Sequence, residues 1–255
     1  MTRLMLSGVG FKGPGSPDWG HARTRLALEP GPLGGSPPAG RGDCLPAAER
    51  RRATPATRLA LDVALEALGP HDSAQTTSIF TSSGGEAGVT HGLFLALCEA
   101  HPQLSPTAFH QSVHNTAAGY FGIASGSHQP SDSLCAFDDS LGAGFAESAL
   151  RVEQGETDVL LVAFDLAPPF PIRAHRRIEE DLAVAFHFHQ AAVAPLADLD
   201  VRFMPSAHRP ARHAFVNNPL ECVYPLLRAI ARRESFEFSL GCGLGGQLAI
   251  RLSPR

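Results

Sequence analysis

Residues 131–164 restrict the fold more than any other stretch. A β-rich run, SDSLCAF, meets a sharp turn at Asp138-Asp139. A helix of small residues follows over 140–153 (SLGAGFAESALRVE), and then the buried-strand run TDVLLVAF over 157–164. Gly142, Ala143, Gly144, Ala146 and Ala149 make that helix small-faced nearly all round, which fits a buried helix. Strand, turn, helix and strand in this order belong to an α/β layered protein. Many enzymes place a nucleophilic Ser or Cys at such a turn, but here it carries two carboxylates. Helix capping is the simplest reading of Asp138 and Asp139, because a carboxylate is favoured at a helix start.

The rest of the chain repeats the alternation. Residues 3–11 read as a first strand, 55–68 as a helix capped by Thr54 and opened by Pro55, and 76–82 as a strand ended by Gly84-Gly85. Residues 86–100 read as a helix with Val89, Leu93, Leu97 and Ala100 on one face. Residues 113–126 read as a close-packed helix with Asn115 as its natural cap. Residues 157–164 and 182–189 (LAVAFHFH) are buried strands, and 30–42 and 195–216 are loop-rich. Asn218-Pro219-Leu220-Glu221 opens a helix to about Arg232 that Pro225 should kink. Residues 235–240 and 247–252 form a hairpin around GCGLGG. These elements predict a single domain over 1–255, with a mixed, mostly parallel sheet and helices on both faces.

Composition removes several classes of function. A net charge of −4 gives no reason to expect nucleic acid or an anionic membrane as partner. No apolar run is long enough for a membrane-spanning helix, so no membrane insertion is expected. Residues 1–11 are read as a strand rather than a signal peptide. Cys44, Cys98, Cys135, Cys222 and Cys242 are scattered, odd in number and without CxxC spacing. That pattern fits reduced thiols in a cytoplasm, not a disulfide framework or zinc site. His187 and His189 share a strand face, but no third ligand is spaced to complete a set, so no metal and no cofactor are expected.

One resemblance is more specific. Ser105-Pro106, Asn115, Ala118-Gly119, Gly126 and Pro130 stand in order before the strand, turn and small-residue helix. Gly155 and Asp158 then form a G-x-x-D leading into the next strand. The span 105–158 resembles the N-terminal half of a β-ketoacyl synthase of thiolase-like fold. LSPTAFHQSVHN (104–115) resembles the short synthase-like chain-length factors of aryl polyene clusters. The similarity is best over 45–170, and the whole chain would be essentially one half of a ketosynthase.

The resemblance carries several implications. The synthase's nucleophilic cysteine falls on Asp138. A carboxylate is a poor nucleophile toward a thioester and repels a developing oxyanion. The second half, which bears the two catalytic histidines of a synthase, is mostly missing after residue 164. The expected protein is therefore a non-catalytic subunit with no catalytic residues. It would form a heterodimer with a full-length ketosynthase and work with an acyl carrier protein. Asp132, Ser133, Leu134, Cys135, Ala136 and Phe137 would be the strand that pairs across the dimer. Ala108, Phe109 and His114 would face the acyl tunnel or the partner; Ala108 and Phe109 are equally well read as packing, and His114 as an ordinary satisfied histidine. The competing reading is an enzyme in its own right, with Asp138 supporting malonyl decarboxylation or Cys242 accepting an acyl group.

Overall fold

The structure is a computed structural model that describes all residues except 30–32, 37–38, 206–216 and 244. The parts of the 30–42 and 195–216 loops, and of GCGLGG, that fall there lie outside the described residues. One eight-stranded sheet organises the chain, in the order β3-β2-β4-β5-β1-β6-β8-β7. The strands are β1 (Thr2–Lys12), β2 (Thr77–Thr81), β3 (Ser131–Leu134), β4 (Asp158–Asp165), β5 (Leu182–His189), β6 (Ala197–Pro205), β7 (Phe236–Gly241) and β8 (Gly246–Pro254).

Helices cover both faces, as expected. On one face α3 (Pro55–Leu68) and α6 (Thr116–Ser125) pack with Phe80, Leu160 and Val162. On the other face α1 (Trp19–Leu28), α7 (Ser140–Glu153) and α9 (Tyr224–Arg232) pack with Val159, Leu161, Phe186 and Phe188. The short helices α2 (Ala47–Arg52) and α8 (Ile172–His175) lie in connections, and α4 (Ala87–Leu97) and α5 (Pro106–Gln111) follow β2.

The mostly parallel sheet is corrected. Only β2 with β3 and β2 with β4 run parallel; the other five pairings are antiparallel. β4 and β5 have unbroken apolar sequences because helices bury both faces. Such a run carries no information about strand direction.

Close approach of α3 to β1 requires glycine. A Cβ at Gly8 would sit 1.9 Å from the Ala67 carbonyl oxygen, and one at Gly10 would sit 2.0 Å from that of Val63. α3 starts as its sequence predicts, with the Thr54 hydroxyl accepting from the Thr57 amide at 3.0 Å and Pro55 at the first helical position.

Three further expectations change. β6 replaces loop over part of 195–216. Leu199 and Val201 are buried there, flanking half-buried Asp200, and exposed Arg202 follows; this alternation of a half-buried strand ends before exposed Phe203. Pro225 kinks nothing, because a 3-10 turn (Pro219–Val223) ends before it and it occupies the first turn of α9. The strand expected over 131–137 stops at Leu134, and Phe137–Asp139 form a 3-10 turn. Among the described residues, no helix is long and apolar enough to cross a membrane.

Candidate functional site

β2, β3 and β4 point their carboxyl ends to one place, where ligands bind in open α/β sheets. The Phe137–Asp139 turn lies there at the start of α7. Phe137 has φ 56°, a left-handed value that costs an aromatic residue on the order of 1–2 kcal/mol. Ser140 holds the turn, accepting from the Ala136 amide at 3.0 Å and donating to the Phe137 carbonyl at 2.6 Å. The Arg176 guanidinium lies over the Phe137 ring, 4.1 Å from its centroid.

The capping expectation for the two aspartates is overturned. Asp139 occupies the N-cap position of α7 but makes no side-chain capping bond, and neither does Asp138. Asp138 Oδ1 instead lies 2.6 Å from Arg176 Nη2, an ion pair with both side chains mostly buried. Asp139 packs on the β7–β8 turn, where a Cβ at Gly241 would meet its Oδ1 at 2.3 Å.

Arg176 joins this turn to the end of β4. Its Nη2 donates to Ser83 Oγ at 2.8 Å, and Ser83 Oγ donates to Asp165 Oδ1 at 2.7 Å. The same oxygen accepts from Ser82 Oγ and from the amides of Ser83 and Gly84. Asp165 Oδ2 is buried without a hydrogen bond. Burial outweighs the donors on Oδ1 and pushes the Asp165 carboxyl up to about 6. Asn218 closes the back of the site, donating to the carbonyls of Asp165 and Glu180.

Other candidates fall around this network. His114 Nε2 lies 3.2 Å from the Ser82 carbonyl, so its half-buried ring engages the end of β2. Asn115 stands at the N-cap of α6 but bonds only through its backbone. Ala108 is half-buried on α5, and Phe109 is 62% exposed. Asp132, Ser133 and Leu134 lie in β3, an edge strand hydrogen-bonded only to β2 among the described residues. Asp132 also pairs with Arg151 of α7, which bonds Glu147 at 2.9 Å. Cys135, Ala136 and Phe137 lie beyond that strand.

The Cys242 thiol is pushed up by burial and by the nearby Asp139 carboxylate, so it is less of a thiolate than a free cysteine. Arg176, Ser83, Asp165 and Asn218 escape sequence reading. The one available signal for them was a charged residue ending the apolar run DVLLVAFD, together with Ser-Ser-Gly-Gly ending β2.

Beside the site lies a large apolar surface. α4 has no buried residue, and Phe94, Leu95 and Leu97 are 50–59% exposed. Leu104, Phe109, Val113, Ile123 and Phe137 are also exposed. The start of α4 is anchored, buried Glu86 accepting from Thr54 at 2.6 Å and Thr57 at 3.1 Å, and α4 also packs on α5. Apolar patches of this kind on a folded chain mark contact surfaces.

Residues 28–236 match the sequence profile described as β-ketoacyl synthase, N-terminal domain, and the chain belongs to that family. Its fold is that of a ketosynthase of thiolase-like architecture. It is similar to a chain in the structure of the ketosynthase ApeO in complex with its chain length factor ApeC from Xenorhabdus doucetiae. That chain is 23% identical with a TM-score of 0.76, and the match covers all of both chains. A chain of the ishigamide ketosynthase/chain length factor is 13% identical, with a TM-score of 0.75 over 100% of this chain and 99% of that one. A β-ketoacyl synthase from Burkholderia phymatum STM815 is 11% identical, with a TM-score of 0.64 over 92% of this chain and 71% of that one. Among curated proteins, none matches.

Proposed function

We propose that this chain is a non-catalytic ketosynthase-like subunit, a chain-length factor that pairs with an active β-ketoacyl synthase and its acyl carrier protein. The observation that carries this reading is the Asp138–Arg176 ion pair at the turn where a synthase places its nucleophile. A carboxylate is a poor nucleophile toward a thioester, and pairing with a guanidinium makes it poorer still. Among the described residues no histidine bonds to Asp138, so no general base serves it. The exposed apolar surface of α4 and α5 and the open edge of β3 supply the area that a partner would cover. Similarity over the full length to chains from two ketosynthase/chain-length-factor structures supports the same reading.

On this reading the Asp132–Leu134 edge docks on the synthase, and Ala108 and Phe109 approach its acyl tunnel. The product is an aryl polyene, made in the cytoplasm. The enzyme alternative through Cys242 is disfavoured by its raised thiol. The test is reconstitution with a cognate ketosynthase from the same gene neighbourhood. The chain alone should yield no condensation from acyl- and malonyl-carrier protein, and Asp138→Cys alone should not restore it. The pair should condense as a heterodimer. Condensation by the purified chain alone would refute the reading.

A further inference from the structure

At the opposite end of β4 from Asp165, three histidines and an aspartate converge. His187 is fully buried on β5, and its Nε2 lies 2.9 Å from Oδ1 of Asp158, the first residue of β4. His189, two residues on, places Nδ1 3.4 Å from Asp158 Oδ2, and that buried nitrogen has no hydrogen bond. His71, in the turn that follows α3, reaches the same point. Its ring centroid is 4.6 Å from that of His187 and 5.1 Å from that of His189. One ligand atom from each of His71, Asp158 and His187 lies within 4.8 Å of the others. The sequence does not announce the group, because His71 and Asp158 are far from the 187–189 pair along the chain.

We infer that His71, Asp158 and His187 form a zinc-binding site, with His189 behind it on the other oxygen of Asp158. Two imidazoles and a carboxylate suit Zn²⁺, which takes N and O donors in a tetrahedron whose fourth position is left to solvent. Bonds of about 2.0–2.1 Å set neighbouring donors about 3.3 Å apart; His187 Nε2 and Asp158 Oδ1 stand 2.9 Å apart, and His71, whose ligand atom lies within 4.8 Å of both, would draw in on a bound ion. The second shell is present. Ser7 Oγ lies 2.9 Å from His187 Nδ1, which frees Nε2 for a metal once Nδ1 carries the proton.

The site would tie the end of α3 to the β4–β5 pair on the side of the sheet away from Asp138. Its role is to brace the scaffold, not to react. This inference is independent of the partner proposed above.

The test uses the full-length chain stripped with a chelator and titrated with Zn²⁺ against a chromophoric competitor. One equivalent should bind with sub-micromolar affinity and raise the melting temperature. His71→Ala and His189→Ala remove side chains that are not buried, so both variants should fold, and each should weaken binding at least tenfold. Ser7→Ala should weaken it about tenfold or more through the second shell. His101→Ala, on an exposed loop, should change nothing. Co²⁺ in place of zinc should show d–d bands that disappear in His71→Ala. Absence of stoichiometric binding, or equal binding by wild type, His71→Ala and His189→Ala, would overturn the assignment.

Discussion

α3 and α4 are both apolar helices, yet their fates differ. Nine of the fourteen residues of α3 are buried, while none of the eleven in α4 is. α3 lies on Gly8 and Gly10 of β1, where backbone meets backbone, and its burial is complete within the chain. α4 is tied to its own chain through Glu86 at its N-cap and packs on α5, but leaves Phe94, Leu95 and Leu97 in the open. α4 is the more apolar of the two and yet unburied among the described residues, so under the proposed function its apolar face is the one another molecule would cover. The cost of truncating an apolar side chain should therefore appear in folding for α3 and in association for α4.

The largest expected effect is on α3. Leu61 is fully buried, so Leu61→Ala should cost the isolated chain about 4 kcal/mol in urea unfolding. Phe94→Ala in the same assay should stay within about 0.5 kcal/mol, as exposed positions do. A loss for Phe94→Ala as large as that for Leu61→Ala would erase the contrast. The next effect belongs to association. Phe94→Glu with Leu95→Glu should weaken the complex with the ketosynthase about 100-fold, equivalent to about 2.8 kcal/mol, in a binding titration. Unaltered affinity would place the interface elsewhere.

The amino-acid sequence predicts α3 but not the α4 surface. Thr54-Pro55 and the helical spacing of Leu59, Val63 and Ala67 define α3 to the residue, because capping and periodicity are local. The same periodicity assigns residues 86–100 a helical face but cannot say whether this chain or another covers it. Strand direction in β4 and β5 was equally hidden, since an apolar run buried on both faces reads the same either way. At the site, Asp138 was found through resemblance and the turn pattern. Its partner Arg176 lies 38 residues on, in a connection without periodic signal, and only folding brings the two together.

A smaller effect tests the buried network behind the turn. Asp165 is raised in the folded chain above its ordinary value of 3.8 to about 6, so its protonated form favours folding. That contribution is complete below the unfolded value and is lost as pH rises through the folded one. Asp165→Asn keeps an acceptor for Ser82, Ser83 and Gly84 without the charge. Its stability relative to wild type should rise by about 2 kcal/mol between roughly pH 4 and roughly pH 7, then level off. A pH-independent difference in paired unfolding curves would show that the carboxyl titrates normally.

The smallest effect on stability is at Phe109. Because the side chain is largely exposed in the free chain, Phe109→Ala should leave folding within about 0.5 kcal/mol. In the reconstituted pair it should shift the polyene length distribution toward longer products by mass spectrometry, with Ala108→Phe shifting it shorter. An unchanged distribution from an intact, active pair would reduce Phe109 to packing.

Hydrogen–deuterium exchange of the chain, alone and in complex with its co-expressed ketosynthase, tests most directly whether α4 and the β3 edge are the face that a partner covers. Slowed exchange on complex formation should concentrate in residues 87–97, 106–111 and 131–134, while the already protected amides of α3 should not change. Two chains that elute separately, or protection confined to the β6–β8–β7 end of the sheet, would contradict the account.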